Sequence, residues 1–265
     1  MNTVFVAIVS ITVIGLICAA ILSIASKIMH VAVDERLTKI IAALPGTNCG
    51  ACGFPGCTGY ASALIEDSDA KSNLCTPGGA GVVALISEAL GIENEAVNKK
   101  VAIIHCGSNA DTQKIKMNYT GIQTCYAAAT VFSGERACAY GCLGYGDCKI
   151  ACPFDAICTV NGLAYINRVL CVGCGLCVTA CPNKIISIQS GESKNHILCS
   201  NIEKAAIVRK KCNKCCFGCG RCVRECPEKA IVVENNLAKI NYEKCTNCGH
   251  CAATCPAKCI QTFVS

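Results

Sequence analysis

The sequence predicts an α+β protein made of small modules behind one membrane-spanning helix. Three observations predict it: an uncharged apolar run at the N-terminus, 28 cysteines in 265 residues, and an ungapped internal duplication in the C-terminal half. Aromatics make up 5% and Trp is absent, so no module can rest on a large aromatic core. Bound metal substitutes for core in small domains. So many cysteines stay available to metal only in a reducing compartment, which argues against a secreted disulfide scaffold.

The first element runs from Val4 to Ser26, 23 residues without a charge. At about 1.5 Å per residue such a run spans a bilayer core of ~30 Å. It is too long for a signal peptide and lacks a small-residue cleavage site before the charges that follow. Lys27, Arg36 and Lys39 follow it and no Lys or Arg precedes it, so the positive-inside rule puts everything after it in the cytoplasm. No ionisable residue lies within the span, so this chain alone offers no ion path. Cys18 reads there as a small packing residue. Residues 1–30 are therefore expected to form a single-pass anchor in the cytoplasmic membrane.

Residues 31–92 predict a small helical iron–sulfur domain. Val33 to Leu44 has helical spacing and stops at Pro45-Gly46. Cys49, Cys52, Cys57 and Cys75 follow at C-x2-C-x4-C-x17-C spacing, among glycines that let a loop wrap closely. Four cysteines suffice for one [4Fe–4S] cluster. Gly59–Ile65 and Val82–Leu90 read as helices. Residues 93–134 read as a connecting segment with one strand, Val101–Ile104, ending at His105-Cys106.

The rest predicts two tandem ferredoxin-like units, 135–195 and 196–265. The run Cys245-x2-Cys248-x2-Cys251-x3-Cys255-Pro256 wraps one cluster with three cysteines and sends the fourth to a neighbouring cluster. It recurs at Cys171, Cys174, Cys177, Cys181-Pro182 and at Cys216, Cys219, Cys222, Cys226-Pro227. A zinc ribbon needs two C-x2-C pairs and has no use for the third cysteine or the Cys-Pro. A shift of 74 residues maps Cys125, Cys138, Cys142, Cys148 and Cys152 onto Cys199, Cys212, Cys216, Cys222 and Cys226, and the Cys171–Cys181 motif onto Cys245–Cys255. Between the motifs, Ala156–Ile166 and Ala230–Ile240 read as hairpins turning at Asn161-Gly162 and Asn235-Asn236.

These motifs assign five [4Fe–4S] clusters and leave a sixth open. The first takes Cys49, Cys52, Cys57 and Cys75. In the second, Tyr145 stands where a cysteine is expected; Cys138 is the nearest replacement, so the set is Cys138, Cys142, Cys148 and Cys181, with a three-cysteine [3Fe–4S] site as the alternative. The third takes Cys171, Cys174, Cys177 and Cys152. The fourth takes Cys216, Cys219, Cys222 and Cys255, and the fifth Cys245, Cys248, Cys251 and Cys226. Cys106, Cys125, Cys199 and Cys212 then remain as a candidate sixth set bridging the units, against the plain reading of buried thiols. Cys158 and Cys259 read as packing residues and Cys215 as a free thiol. His30, His105, His196 and His250 lack ligand spacing and read as solvated or hydrogen-bonding residues.

Net charge is +6 and unevenly placed: residues 1–198 hold 13 charges of each sign, whereas residues 199–265 hold 11 Lys+Arg against 5 Asp+Glu. The plain reading is a solvated face. The functional one is a dock for an acidic electron carrier, formed by Lys204, Arg209, Lys210, Lys211, Lys214, Arg221 and Arg224. Basic residues are not interleaved with aromatics, which argues against nucleic acid. No G-x-G-x-x-G, Walker motif, acid–base pair or catalytic triad stands out, so the sequence predicts no catalytic residue and no nucleotide site.

The anchor, the block Leu44-Pro45-Gly46-Thr47-Asn48-Cys49-Gly50-Ala51-Cys52-Gly53-Phe54-Pro55-Gly56-Cys57 and the ferredoxin motifs together resemble the B subunit of the Rnf complex, a membrane-bound ferredoxin:NAD oxidoreductase. The resemblance covers nearly the whole chain. The stretch Ala139–Cys148 looks like the longer form with two ferredoxin units. What it implies is a cytoplasmic subunit that takes electrons from reduced ferredoxin, beside partner subunits that hold the flavins and the NAD site in a complex pumping Na+ or H+. The alternative is a polyferredoxin subunit of another membrane hydrogenase or dehydrogenase.

Overall fold

The computed structural model describes residues 2–28, 34–67 and 70–263. His30 and Val33, named above, lie outside them. In chain order the elements are α1 (Asn2–Ile28), α2 (Glu35–Ala43), α3 (Gly56–Glu66), α4 (Gly79–Leu90), β1 (Lys100–Ile104), α5 (Cys125–Thr130), α6 (Asp147–Ile150), β2 (Ile157–Val160), β3 (Leu163–Ile166), α7 (Leu176–Ala180), β4 (Ile186–Ser190), β5 (Asn195–Ile197), α8 (Ala205–Lys211), α9 (Arg221–Arg224), β6 (Ile231–Glu234), β7 (Leu237–Ile240), α10 (His250–Thr254) and β8 (Ile260–Thr262).

Helix α1 is long and apolar enough to cross a membrane, and Ile11, Ile14, Leu16 and Leu22 on it are exposed. Helices α2, α3 and α4 close on one another around Ile40, Tyr60, Ala61, Leu64 and Ile86. Asp34 starts α2 by accepting from the Arg36 N–H at 2.8 Å, which satisfies a donor the helix leaves free. The Arg36 side chain also bonds the Asp34 carboxylate and holds it below its usual range. Gly91, at φ +69°, ends α4 in the left-handed conformation that favours glycine.

The strands pair as four two-stranded antiparallel sheets. Hairpins β2–β3 and β6–β7 close locally, in registers Val160↔Leu163 and Glu234↔Leu237. Their turn residues Asn161, Gly162, Asn235 and Asn236 all have positive φ, as tight hairpin turns require. Strand β2 buries Ile157 and exposes Cys158, so Cys158 does not pack as expected; strand alternation turns it to solvent.

The other two sheets are long-range. Strand β1 pairs with β4 with Ile104 opposite Ile186, and β5 pairs with β8 with Ile197 opposite Ile260. Segment 93–134, read above as a connector, supplies β1 to a sheet with β4, and Asn195, read above as the end of the first unit, starts β5. A five-residue strand followed by a long loop carries no local sign of its distant partner.

The registers also equate Ile104 with Ile197, 93 residues apart, whereas the cysteine motifs repeat at 74. The first unit therefore carries 19 extra residues after its first strand, and α5 lies within them. The equivalence extends further. The His105 N–H donates to Ile185 O at 2.7 Å, and the Leu198 N–H donates to Cys259 O at 2.7 Å.

The two units are tied at His196, which is fully buried. Its Nε2 lies 3.0 Å from Ser193 O and its Nδ1 3.0 Å from the Tyr242 hydroxyl, while Arg168 donates to Gly191 O and Ser193 O at 2.9 Å. Burial pushes the imidazole down to about 4, so it is neutral in the folded chain at pH 7. The unfolded chain takes up a proton near pH 6.5, so this residue's stabilisation is complete above pH 6.5 and is lost as pH falls towards 4. Urea midpoints measured at pH 7.5 and 5.5 should fall on acidification. The fall should be smaller in His196→Gln, and an equal fall in both would show that His196 is not responsible.

Candidate iron–sulfur sites

The first set forms inside the helical unit. Asn48 at φ +50° turns the loop, and its Oδ1 accepts from the Cys57 N–H at 2.7 Å where α3 begins. A Cβ on Gly56 would meet that Oδ1 at 2.8 Å, so glycine is required beside it. Cys75, Cys52 and Cys57 pack on one core, and the Cys75 thiol is raised by burial first, then by the charges of Cys57, Cys52 and Cys49.

In the ferredoxin-like units a positive-φ glycine precedes the short helix that presents the third cysteine of each motif, as at Gly175 before α7 (84°) and Gly249 before α10 (80°). Cys152, Cys171, Cys174 and Cys177 line one cavity with Phe154 and Ile157. Cys216, Cys219, Cys222 and Cys255 line another. Burial raises the Cys251 thiol, and the charges of Cys245, Cys248 and Cys226 raise it further. Strand and loop N–H groups point at these sulfurs: Ala102 at Cys171 (3.4 Å), Ala230 at Cys226 (3.3 Å) and Ala238 at Cys216 (3.5 Å). Such bonds orient ligands and tune cluster potential.

Around the second set, read above as Cys138, Cys142, Cys148 and Cys181, the cavity lining differs from that reading. The cavity beside Cys142, Cys148 and Cys181 is lined by Cys125, and not by Cys138. Tyr145 and Tyr119 meet edge to face at 5.9 Å and pack against the core of Cys125, Ala128 and Leu143. Asp147 fixes the start of α5 by accepting from the Cys125 N–H at 2.8 Å and the Tyr126 N–H at 3.0 Å. A helix in the 19-residue insertion thus brings a cysteine to the cavity that Tyr145 cannot serve. Cys138 lies instead in a separate cavity with Cys106, Cys199 and Cys212, which Cys125 does not line. The gap-free shift paired Cys125 with Cys199, whereas strand register pairs Cys106 with Cys199. A Thr124 cap before an alanine-rich turn was the local sign of α5, but nothing local aimed Cys125 at this site.

Two cysteines have a place that the sequence reading missed. Cys259 is buried 3.6 Å from Cys255, and its hydrogen bonding to Cys216 and Cys255 holds both sulfurs below the usual thiol value. Cys215 is 1% exposed and lines the Cys106 cavity. His105 bonds Ile197 O (2.8 Å) and Ser187 Oγ (2.7 Å), a structural role as expected.

These residues fit iron–sulfur clusters better than single ions. Among the described residues, no three His, Cys, Asp or Glu side chains converge on one metal-ion position. A structural zinc needs four ligands at about 2.0–2.3 Å from one centre. The cysteines ring wider apolar cavities, as a cubane requires. Burial chiefly, with neighbouring sulfur charge, pushes Cys148 and Cys177 up to about 12, so without a bound cation both are neutral thiols at pH 7.

Comparison with known proteins agrees with this geometry. An Fe-S cluster family matches residues 44–77, a 4Fe-4S binding domain residues 164–187 and a 4Fe-4S dicluster domain residues 208–256. The chain is 41% identical over 246 residues to the B subunit of the Na(+)-translocating ferredoxin:NAD(+) oxidoreductase complex of Acetobacterium woodii, covering 92% of this chain and 74% of that one. It is 38% identical to the B subunit of the proton-translocating ferredoxin:NAD(+) oxidoreductase complex of Clostridium ljungdahlii, over 92% of this chain and 87% of that one. The B subunit of the ion-translocating oxidoreductase complex of Methanosarcina acetivorans is 35% identical over 88% of each chain. With an apolar N-terminal helix, a four-cysteine helical unit and paired ferredoxin-like units in one chain, this protein belongs to the family of B subunits of the ion-translocating ferredoxin:NAD(+) oxidoreductase (Rnf) complexes.

Proposed function

We propose that this chain takes electrons from reduced ferredoxin and relays them to partner subunits of a ferredoxin:NAD(+) oxidoreductase, subunits that hold the flavins and the NAD site. The observation that carries the reading is the gathering of cysteine sets around separate apolar cavities within shared cores, in a chain with no nucleotide-binding motif. Each cluster, when bound, accepts and passes one electron. The chain's own part is to fix the clusters close together, to exclude water with apolar walls, and to aim N–H groups at their sulfurs.

The second ferredoxin-like unit is the receiving end in this reading. Cys219 and Cys248 there are exposed, and Arg221, Arg224 and Lys229 stand exposed nearby, while that unit carries the chain's whole net positive charge. Cys174 lies within electrostatic reach of Cys49, so the helical unit behind α1 is the delivering end. Residues after α1 are cytoplasmic because Lys27, Arg36 and Lys39 follow it. The test uses membrane vesicles carrying the complex. Reduced ferredoxin added outside should bleach the visible iron–sulfur absorbance of this chain in inside-out vesicles and leave right-side-out vesicles unchanged. Bleaching in neither would remove ferredoxin as donor, and bleaching only in right-side-out vesicles would reverse the orientation.

A further inference from the structure

We propose that Cys259, a fifth cysteine beside the fourth set, raises the reduction potential of that cluster by donating its S–H to the ligand sulfur of Cys255, with Cys216 as the second acceptor. The inference rests on the electron-relay reading above and assigns one residue's part within it.

Cys259 is 3% exposed and lines the same cavity as Cys216, Cys219, Cys222 and Cys255. Its Sγ lies 3.6 Å from Cys255 Sγ, within hydrogen-bond reach for sulfur, and it also bonds Cys216. The other four cysteines repeat the spacing of the sister motifs and suffice for a cubane, so Cys259 is left over as a free thiol. A ligand sulfur is deprotonated and only accepts, whereas a free thiol carries a proton. Cys259 is therefore the donor in either contact.

The backbone fixes the thiol at this place. Cys259 stands directly before β8, and its carbonyl accepts from the Leu198 N–H at 2.7 Å. In the first unit Ile185 stands directly before β4, and its carbonyl accepts from the His105 N–H at 2.7 Å. Ile185 lines the cavity of Cys142, Cys148 and Cys181, so it is the counterpart of Cys259 at the second set and brings no donor. The same position, four residues after the Cys-Pro cysteine, is Ala156 at the third set and Ala230 at the fifth. Ala156, Ile185 and Ala230 are all buried, so packing at this position does not call for sulfur.

The effect follows from charge. A reduced cubane carries one more negative charge, part of it on the ligand sulfurs, and a hydrogen bond to a more negative acceptor is stronger. A donor at the sulfur thus favours the reduced form, as hydrogen bonds to cluster sulfurs do in general. Main-chain donors reach both sets of the second unit, from Ala238 to Cys216 at 3.5 Å and from Ala230 to Cys226 at 3.3 Å. The fourth set adds a side-chain donor that Ala230 cannot supply to the fifth. Both sets share one apolar core, and Cys216 directly follows Cys215, which lines the cavity that residues of both units enclose. A raised potential at the fourth cluster draws the electron from the fifth towards the first unit. The electron moves singly, no bond is made or broken, and Cys259 keeps its proton.

The test is a mediator-linked redox titration of the full-length chain, purified anaerobically with its clusters and followed by paramagnetic resonance and iron analysis. In Cys259→Ala the reduction equilibrium of one cubane should move about tenfold towards the oxidised form, ~59 mV downward for one electron, with iron content unchanged. Cys259→Ser keeps a donor of similar size and should stay close to wild type. No shift in Cys259→Ala, or equal shifts in both variants, would overturn the proposal. So would loss of about four irons or a three-iron signal in Cys259→Ala, since Cys259 would then be a ligand. Chemical mediators make the titration independent of ferredoxin. An unshifted Cys259→Ala chain that ferredoxin still reduces rejects the Cys259 role and leaves the proposed function standing. A shifted one, with wild type that ferredoxin does not reduce, does the reverse.

Discussion

A Cys125→Ser chain should lose one cubane, either as about four irons or as conversion to a three-iron cluster with its own paramagnetic signal. The cluster at Cys142, Cys148 and Cys181 is the one affected, because Cys125 alone brings a fourth sulfur to their cavity. Cys138→Ser should leave that cluster in place, since Cys138 opens onto the neighbouring cavity. Turnover of the whole complex by Cys125→Ser should drop towards background, because the cysteine sets form a single row with no side branch. Paramagnetic resonance and iron analysis of the two variants decide between the ligands. A lost cubane at Cys142 in Cys138→Ser, with Cys125→Ser unaffected, would reinstate the assignment read from spacing. The fold should survive Cys125→Ser, because Asp147 caps α5 through backbone N–H groups that serine retains.

Reversing charge at Arg221 and Arg224 to Glu should slow ferredoxin-driven reduction about 10-fold or more at low ionic strength. Both side chains are exposed on α9, the helix that carries Cys222, beside the exposed Cys219. Other residues of the predicted dock are engaged within the chain. Lys211 pairs with Glu203, the Arg209 guanidinium lies 4.0 Å over the Phe217 ring, and Lys214 lines the cavity at Cys106 and Cys138. The wild-type rate should fall as salt rises, because the Debye length is only ~10 Å at 0.1 M, and the rate of the double variant should not. Stopped-flow reduction across a salt series measures both. Equal rates for the two chains at all salt concentrations would place the ferredoxin dock elsewhere.

Residues close in sequence settled most of what the sequence could show. Three cysteines within seven positions, followed by Cys-Pro, can wrap a cluster with a few backbone angles and two left-handed residues, so Cys171, Cys216 and Cys245 announced their motifs unaided. The hairpins were legible for the same reason, since Asn161-Gly162 and Asn235-Asn236 tolerate positive φ. The apolar run at α1 needs only its composition. The tertiary structure decided which cavity each distant cysteine lines. Cys125 and Cys138 are both buried thiols upstream of Cys142, and nothing in their own neighbourhoods says which cavity each faces. The β1–β4 register decides it: it makes Cys106 the counterpart of Cys199 and leaves a 19-residue insertion whose helix delivers Cys125 to the gap left by Tyr145. Strand pairing across more than 80 residues depends on side chains packed from both units, and no local spacing encodes it.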